Sequence, residues 1–314
     1  MVPALVLTAG LATRLRPLSL VRAKAALPVA GVPLVRRILI QLAAAGVRDV
    51  VLNLHHLPHT LTTLVGDGSD LGLRVRYSWE MPVLGSAGGP RRALPLLAHA
   101  GSTFVIVNGD TLTNVNLDAL VADHRRSGAL VTLAVVDNKE PDKYGGVLID
   151  AEGVVAGFVK RGSPRPSFHF VGVQAAEAAA FASVPADTPY ETVAALYPSL
   201  MASRPGSVRA FFSSSEFFDI GTPADYLQTS LLFADREGTS LIGRARLEAG
   251  ARVEHSILWD DVVIGAGSTL RECIVTDGVR VPADTSWRGV TIRVVTDELE
   301  PGEKQFDHLA IGNL

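Results

Sequence analysis

The sequence has little cysteine and little net charge, and each shortage excludes a class of protein. Among its 314 residues there is one cysteine, Cys273, so an intramolecular disulfide and a zinc site built from cysteines are excluded. A single cysteine is consistent with a reducing compartment. The formal net charge is −3, and the 29 Lys and Arg residues form no basic run. Nucleic-acid-binding proteins usually carry a basic stripe, so we predict no nucleic-acid partner.

Long apolar runs are also missing. No segment approaches the roughly 20 apolar residues that cross a bilayer. The N-terminus MVPALVLTAG lacks the basic residues that precede the apolar part of a secretory signal. We therefore predict a cytoplasmic protein with no membrane partner. Hydrophobic residues make up 47% of the chain, which excludes disorder as its main state.

The segment 1–235 alternates between apolar runs and stretches with helical spacing. A strand, a loop, a helix and a second strand in this order form a right-handed βαβ unit, so we predict an α/β fold with a Rossmann-like, mostly parallel sheet. Such sheets bind ligands at the carboxyl ends of their strands, here residues 8–13, 53–58 and 108–111. The predicted strands are residues 2–7, 47–54, 73–77, 104–108 and 131–136, and the predicted helices are residues 32–45, 88–100 and 117–127.

After about residue 235 an aliphatic residue recurs every five to seven positions, with small residues between. A hexapeptide period of this kind is typical of a parallel β-helix, with ordinary β-hairpins as the alternative. The repeats would suffice for about seven coils. We therefore predict two domains, residues 1–235 and residues 236–314, and no particular element for the polar tail from about Asp297.

Residues 7–34, called the signature segment below, carry the strongest chemical signal. A buried strand ends in small residues, followed by Thr13, Arg14 and Lys24. Small residues let backbone N–H groups approach phosphates, and the two cations would neutralise a polyphosphate. The segment is not a P-loop, because the Gly-Lys-Ser/Thr ending is absent. A plain structural turn is the alternative.

The signature segment resembles that of the sugar-1-phosphate nucleotidyltransferases, Leu-Ala-Gly-Gly-x-Gly-Thr-Arg-Leu-x-Pro followed by Lys-Pro and Pro-Val-x-x-x-Pro-Leu. Within that family the chain is similar to the mannose-1-phosphate guanylyltransferases and to the branch acting on muramic acid and heptose phosphates. Ala9 and Ala12 replace glycines, and Ala25 replaces a proline. We expect the Ala12 methyl to crowd a phosphate or to impose a negative φ. The matching positions are Leu7, Gly10, Thr13, Arg14, Leu15, Pro17, Lys24, Pro28, Val29, Pro33 and Leu34.

Four further segments resemble family motifs. Residues 84–89 are similar to the segment beside the nucleotide base, with Glu80 at its edge, and residues 108–110 to a strand end whose aspartate holds magnesium. Residues 144–146 resemble a segment beside the sugar, and residues 217–226 one whose first aspartate is the second metal ligand.

The resemblance implies a nucleotidyltransferase domain followed by a short left-handed parallel β-helix, with Mg²⁺ on Asp110 and Asp219. It assigns Arg14 to the β- and γ-phosphates, and Lys24 to the α-phosphate and the attacking phosphate. The implied nucleotide-binding residues are Thr8, Ala9, Gly10, Leu11, Ala12, Thr13, Asn53, Glu80, Gly85, Ser86, Ala87, Gly88, Asn108 and Gly109. The implied sugar-phosphate residues are Tyr144, Gly145, Lys160, Arg161 and Gly172.

One family motif is altered. A Glu-Lys-Pro segment normally holds the sugar hydroxyls and the sugar phosphate, but this chain has Lys160, Arg161 and Gly162 there. An arginine can grip a phosphate with two hydrogen bonds. A lysine donates only, so Lys160 cannot accept hydrogen bonds from sugar hydroxyls. Either the sugar is unusual or another acceptor substitutes.

The implied reaction joins a sugar 1-phosphate to a nucleoside triphosphate and releases pyrophosphate. GTP and a mannose-1-phosphate-like sugar are favoured, with uridylyl or thymidylyl transfer as the alternative. A regulatory subunit of the same fold that has no catalytic activity is a further alternative. A glycosyltransferase is disfavoured, because no Asp-x-Asp ends a strand.

Several other parts of the chain have two interpretations each. The β-helix is expected to mediate homo-oligomerisation, and acyl transfer at His255, the only histidine of the repeats, is the alternative. His55 and His56 are expected to be structural. Adjacent strand residues point to opposite faces, so the two are not expected to bind one metal ion. Arg91 and Arg92 are interpreted as a solvated helix face, with steering of anions as the alternative.

Overall fold

The computed structural model describes residues 1–97, 102–296 and 298–314. The end of the predicted helix 88–100 and Asp297 of the predicted tail lie outside the described residues. The chain forms two compact units, each described by itself below. Unit 1 comprises Met1–Gly10, Arg37–Pro58 and Val65–Phe218, and unit 2 comprises Leu11–Arg36, His59–Leu64 and Asp219–Leu314. In the described ranges no helix is both long and apolar enough to cross a bilayer.

The described chain before Gly238 contains thirteen strands and six α-helices. The strands are β1 (Ala4–Leu7), β2 (Pro28–Val29), β3 (Val32–Pro33), β4 (Asp49–Leu54), β5 (Arg74–Trp79), β6 (Thr103–Asn108), β7 (Thr111–Thr113), β8 (Val131–Asp137), β9 (Gly146–Ile149), β10 (Val155–Val159), β11 (Phe168–Glu177), β12 (Val208–Phe212) and β13 (Phe217–Asp219). The helices are α1 (Leu34–Ala44), α2 (Pro58–Val65), α3 (Gly85–Leu97), α4 (Leu117–Ser127), α5 (Tyr197–Ser203) and α6 (Pro223–Glu237).

Unit 1 contains a nine-stranded mixed sheet. Its order is β10-β9-β11-β6-β1-β4-β5, and β8 pairs with both β11 and β12. β1 runs parallel to β4 and β6, whereas β11 runs antiparallel to β6 and β8. The predicted α/β class is confirmed. The parallel pairs bring the carboxyl ends of β1, β4 and β6 to one edge.

The core of unit 1 explains why these runs form central strands. Leu5, Val51, Ile106 and Leu133 lie on separate strands of the sheet and are almost fully buried. Each such side chain contributes about 1.5–3 kcal/mol when it leaves water. Continuous apolar runs therefore form strands that are covered on both faces.

One predicted helix begins later than expected. Residues 32–33 form β3, which pairs antiparallel with β2, and α1 starts at Leu34. Ala30 and Gly31, with φ of 48° and 78°, form the tight turn between these strands. Two positive φ angles suit the twist of such a hairpin, so the hairpin displaces the first turn of the predicted helix.

Unit 2 contains a parallel β-helix with three faces. Its strands are β14 (Ala245–Leu247), β15 (Arg252–Glu254), β16 (Ile257–Leu258), β17 (Val262–Ile264), β18 (Thr269–Arg271), β19 (Ile274–Val275), β20 (Arg280–Val281), β21 (Ser286–Arg288) and β22 (Val290–Val294). The faces are β14-β17-β20, β15-β18-β21 and β16-β19-β22. The register partners on the second face, Arg252, Thr269 and Ser286, are evenly spaced along the sequence.

The number of coils was predicted wrongly. In the described ranges each face has three parallel strands, which makes three coils rather than seven. A hexapeptide repeat covers one face, so three repeats complete one turn. The polar tail also forms strands, β23 (Lys304–Phe306) and β24 (Leu309–Asn313), and β24 pairs antiparallel with β22. Leu309 is fully buried in the β-helix core.

Candidate active site

Three polar residues at neighbouring strand ends of unit 1 form one buried chain of hydrogen bonds. The Thr8 backbone N–H donates to Asn53 Oδ1 at 2.6 Å, and the Thr8 hydroxyl donates to the Asn53 carbonyl. Asn53 Nδ2 donates to Glu80 Oε1 at 2.7 Å. Glu80 Oε2 accepts from the Leu84 N–H at 2.8 Å. The chain thus connects the ends of β1 and β4 to the loop before α3.

This chain gives Asn53 and Glu80 a positioning role within unit 1. Both residues are 3% exposed, and their polar atoms bind each other and the backbone. His55 Nδ1 lies 2.9 Å from the Glu80 carbonyl oxygen, which agrees with the structural interpretation of that histidine. A Cβ at Gly89 would lie 2.6 Å from Glu80 Oε1, so only glycine fits there. Their contact with a nucleotide stays a prediction.

The segment Gly85–Gly88 packs against residues 188–192 of the same unit. The Ala87 N–H donates to the Tyr190 carbonyl at 2.9 Å, and the Ser86 hydroxyl donates to Glu191 Oε2 at 2.5 Å. Gly85 has a φ of +75°, and a Cβ there would lie 2.5 Å from Glu191 Oε1. The first N–H groups of α3 are therefore satisfied by the protein itself. Sequence reasoning missed Tyr190 and Glu191, because they lie far from this segment along the chain.

Asp110 follows the end of β6. The Gly109 N–H donates to the Leu7 carbonyl at 2.9 Å, and a Cβ at Gly109 would lie 2.5 Å from that oxygen. Gly172, with a φ of +78°, lies beside Asn108, where a Cβ would be 3.0 Å from Asn108 Cβ. The structure therefore brings together Gly172 and Asn108, which were predicted at the sugar and the nucleotide respectively.

Unit 2 brings together three residues that were predicted to handle phosphate and metal. Lys24 Nζ lies 3.9 Å from Asp219 Oδ1, and both side chains are mostly buried. Gly221 lies between Asp219 and Arg14, since a Cβ there would be 3.0 Å from Asp219 Oδ2 and 3.2 Å from Arg14 Nη1. The signature segment and the segment before α6 thus place two cations beside one carboxylate.

The local sequence explains how Asp219 is held. Thr222 caps the N-terminus of α6 by accepting from the Asp225 N–H at 3.1 Å, and Asp225 Oδ2 accepts from the Thr222 N–H at 3.0 Å. Pro223 occupies the first turn, where its missing N–H is not needed. This capping box fixes the end of the segment that carries Asp219. Sequence reasoning gave Asp225 no role.

The expectation for Ala12 was wrong in one respect. Ala12 has a φ of 49° and a ψ of 45°, so its methyl group does not impose a negative φ. Its carbonyl accepts from the Leu15 N–H at 2.9 Å and from the Ser19 hydroxyl at 3.0 Å. These bonds hold the left-handed conformation that a glycine would adopt without strain.

Arg22, which sequence reasoning did not single out, joins the signature segment to the β-helix inside unit 2. Its Nε donates to Asp277 Oδ2 at 2.7 Å, and its Nη2 donates to Asp260 Oδ2 at 2.8 Å. The guanidinium also lies 5.0 Å from the ring centroid of Trp259. Burial opposes the charge, but the two carboxylates outweigh it and raise the pKa of Arg22, so the charge persists. Arg22 is thus a fixed link just before Lys24.

A second link joins the same two parts. The Tyr226 hydroxyl donates to the Pro28 carbonyl at 2.7 Å, and Trp259 Nε1 donates to that hydroxyl at 3.1 Å. The hairpin of the signature segment is thereby tied through α6 to the first turn of the β-helix.

The charges of the N-terminal part carry a signal that sequence reasoning overlooked. Every charged side chain between Met1 and Arg48 is positive, and no Asp or Glu occurs there. Such an imbalance favours an anion site, and it could have been read directly. The cations are Arg14, Arg16, Arg22, Lys24, Arg36, Arg37 and Arg48.

The residues predicted on the sugar side differ in packing and exposure. Tyr144 packs against His169 with ring centroids 4.4 Å apart. A Cβ at Gly145 would lie 3.0 Å from the Val159 carbonyl oxygen and 3.9 Å from the Arg161 N. Lys160 and Arg161 are exposed. Their contact with a sugar phosphate stays a prediction.

Arg91 and Arg92 differ from each other. Arg92 forms an ion pair with Asp187, as expected for a solvated face. Arg91 Nε is buried and has no hydrogen-bond partner within the described ranges. Steering of anions by Arg91 and Arg92 stays the alternative prediction.

A family model described as "Nucleotidyl transferase" matches residues 3–236, well over half of the chain. The chain belongs to the nucleotidyl transferase family. A second model, "GlmU-like, C-terminal hexapeptide", matches residues 235–290 and agrees with the three-faced β-helix. The family identification made from the signature segment is therefore confirmed.

Relatives of this nucleotidyl transferase extend over most of its length. The mannose-1-phosphate guanylyltransferase of Mycobacterium tuberculosis is 30% identical over 295 residues, which is 90% of this chain and 82% of the relative. Mannose-1-phosphate guanylyltransferase 1 of Arabidopsis thaliana is 28% identical, with 92% and 82% covered. The crystal structure of HddC from Yersinia pseudotuberculosis has the same fold, with a TM-score of 0.65, 22% identity and coverage of 74% and 100%.

Proposed function

We propose that this nucleotidyl transferase transfers GMP from GTP to mannose 1-phosphate, with release of pyrophosphate. The observation that carries the proposal is the match to mannose-1-phosphate guanylyltransferases over both parts of the chain, residues 3–236 and the hexapeptide repeats. The gathering of Arg14 and Lys24 at Asp219 supports it, because transfer of this kind needs cations beside phosphate.

The reaction requires no covalent enzyme intermediate. A phosphate oxygen of the sugar phosphate attacks the α-phosphorus of GTP in line. The bond between the α-phosphorus and the bridging oxygen then breaks, and pyrophosphate leaves. Catalysis is then mainly positioning and charge neutralisation. The proposal assigns Arg14 to the β- and γ-phosphates and Lys24 to the α-phosphate and the attacking phosphate.

The proposal assigns Mg²⁺ to the carboxylates of Asp110 and Asp219, on the sequence motifs. Mg²⁺ is commonly bound by one or two carboxylates, several waters and substrate phosphates, so two aspartates suit it. The proposal leaves the other coordination positions to water and to the triphosphate. When bound, the ion would neutralise charge on the triphosphate.

The remaining predicted contacts belong to the same proposal. The backbone from Ala9 to Thr13 would cradle the triphosphate, and a Cβ at Gly10 would meet no described atom within 4 Å, so this part of the loop is open. We also propose a cytoplasmic location, in agreement with the free thiol of Cys273. Self-association through the β-helix completes the proposal.

The test is a pyrophosphate-release assay with Mg²⁺, five nucleoside triphosphates and a panel of sugar 1-phosphates. We expect the highest kcat/KM for GTP with mannose 1-phosphate. Lys24→Met should lower kcat at least 100-fold, whereas Lys304→Met on exposed β23 should leave it unchanged. Preference for UTP would favour the alternative that a 27% identical uridylyltransferase of Synechocystis suggests. If the folded protein binds GTP but releases no pyrophosphate with any substrate pair, the result would indicate a regulatory subunit.

A further inference from the structure

The polar tail of unit 2 contains a buried ion pair. Arg293 lies on β22 and Glu303 lies just before β23, and their side chains are 1% and 2% exposed. Arg293 Nε donates to Glu303 Oε1 at 2.9 Å, and Arg293 Nη2 donates to Glu303 Oε2 at 2.6 Å. Two such bonds, with further hydrogen bonds around them, are what offsets the desolvation of a buried pair. The pair therefore fixes this part of the tail against β22.

The backbone of residues 298–303, called the tail loop below, folds around this pair. Arg293 Nη2 also donates to the Glu298 carbonyl at 3.2 Å, and the Glu300 N–H donates to Glu303 Oε2 at 2.8 Å. After the tail loop, Phe306 packs edge to face against Trp287 with ring centroids 5.2 Å apart. The Glu300 carboxylate is therefore attached to a backbone that is held at both ends.

This carboxylate reaches the signature segment. Arg16 Nη1 donates to both Glu300 carboxylate oxygens at 3.3 Å, across 284 residues of sequence. The Glu300 side chain is 20% exposed and that of Arg16 is 47% exposed. The Arg16 N–H donates to the Thr13 carbonyl at 3.3 Å and so closes the turn Thr13–Leu15, which carries Arg14. The tail loop thus holds the residue that closes this turn.

Two features of the sequence set this contact apart from the family motif. Arg16 occupies the position that the pattern Thr-Arg-Leu-x-Pro leaves open, so the motif gives it no role. No Asp or Glu occurs between Met1 and Arg48, so the tail supplies a carboxylate that the N-terminal part lacks. At the other end of the turn, Ala12 has a strained left-handed backbone. An anchor at Arg16 would oppose relaxation of the turn.

We propose that Glu300 is a positioning residue, which through Arg16 holds the turn Thr13–Leu15 in the conformation that binds the nucleoside triphosphate. The proposal rests on the proposed function, which places the triphosphate at this turn. Glu300 acts through the backbone of the turn and is assigned no contact with substrate.

The test uses the sign of two single variants. Arg16→Gln and Glu300→Gln remove the same anchor, so each should raise KM for GTP about 2- to 5-fold and leave kcat within twofold, and the double variant should go no further. Side chains that acted only by their charge on the triphosphate would have opposite effects, because loss of a cation weakens anion binding and loss of an anion strengthens it. Effects of opposite sign, or an unchanged KM in both variants, overturn the proposal.

Three comparisons separate this anchor from a general loss of stability. Arg16→Lys should keep KM within twofold, because the contact uses one nitrogen and an ammonium can replace it. Glu272→Gln, which removes an exposed carboxylate paired with Arg288 in the β-helix, should also keep KM. About 0.5 M NaCl should bring the KM ratio of Glu300→Gln to wild type toward one, because salt screens exposed ion pairs. An Arg16→Lys variant that behaves like Arg16→Gln, or a ratio that salt leaves unchanged, contradicts the proposal.

Hydrogen exchange measured by mass spectrometry tests the anchor without turnover. In the nucleotide-free protein Glu300→Gln should speed exchange of the amides of residues 13–16 about 2- to 5-fold, whereas Glu272→Gln should not. If the wild-type chain turns over no substrate, the proposed function fails, and faster exchange still supports the anchor. Unchanged exchange in Glu300→Gln overturns it.

Discussion

The Ala12 methyl group strains the backbone of the signature segment. In this chain an alanine occupies a left-handed position that the family pattern gives to glycine, and two hydrogen bonds to its carbonyl keep it there. For an L-residue this conformation costs roughly 1–2 kcal/mol relative to a glycine. Part of that cost is offset, because glycine loses more backbone entropy on folding.

We expect Ala12→Gly to raise the free energy of unfolding by up to about 1 kcal/mol, since relief of strain exceeds the entropy loss. Urea denaturation monitored by circular dichroism measures the change. Ala23→Gly is the matched control, because Ala23 is buried and its φ of −55° suits alanine. That control should lose about 0.5–1 kcal/mol. Equal losses in both variants would contradict the strain at Ala12.

At the residue scale the sequence predicted chemistry better than contacts. Arg14 and Lys24 were selected from the signature segment and Asp219 from the segment 217–226, and the structure brings the three together. The hydrogen bonds of Asn53 with Thr8 and Glu80 could not be predicted from the sequence, because those partners lie 45 and 27 residues away along the chain. Local patterns name residue types, whereas the partner of a buried polar atom depends on the tertiary fold.

At the scale of elements, the β-helix does more than stack its own coils. Arg22 and the pair Tyr226–Trp259 connect it to the signature segment within unit 2. A planar guanidinium suits this link, because it donates to two carboxylates at once. The stability of the loop before Lys24 is therefore tied to the β-helix turns that carry Asp260 and Asp277.

Arg22→Ala should lower the free energy of unfolding by about 1–2 kcal/mol, because it leaves two half-buried carboxylates facing each other. Arg22→Lys should recover only part of the loss, since an ammonium lacks the planar guanidinium geometry that donates to both carboxylates at once. The control is Arg74→Ala, which removes an exposed ion pair with Asp49 and should have a smaller effect. Thermal melts of the wild type and the three variants provide the comparison. A loss for Arg22→Ala no larger than that of the control would refute the link.

Elements were predictable where a buried run or a helical period was long. The strands 104–108 and 131–136 and the helix 117–127 were predicted within one residue of the structure. Short or polar elements were missed, such as the β2–β3 hairpin and the exposed β23. In these cases pairing, rather than the residues' own hydrophobicity, makes the strand.

At the scale of the whole molecule, exposed aliphatic side chains on the first coil bear on assembly. Ile242 is 36% exposed and Leu247 is 40% exposed. The β14 strand that carries Leu247 pairs with β17, and no further described strand follows it in that sheet. An unpaired edge with apolar side chains favours association with a second copy.

Leu247→Glu should therefore shift the chain toward monomer, because a charge at this edge opposes burial. Size-exclusion chromatography with multi-angle light scattering measures the mass. Ile40→Glu is the matched control, since Ile40 is 47% exposed on α1, outside the β-helix. Wild-type protein that is already monomeric, or an unchanged mass for Leu247→Glu, would contradict association through this edge.

The even spacing of Arg252, Thr269 and Ser286 shows that every coil of the β-helix contains the same number of residues, counted from one strand of the second face to the next. Neighbouring strands in a sheet lie about 4.8 Å apart, so each whole coil adds one such step. Duplicating or deleting one complete coil, such as the stretch from Arg252 to Ser268, keeps every face in register, whereas a shift by a single position turns core side chains outward. The length of the β-helix can thus change in evolution only by whole coils, and the coils that supply Asp260 and Asp277 are further constrained by their hydrogen bonds with Arg22.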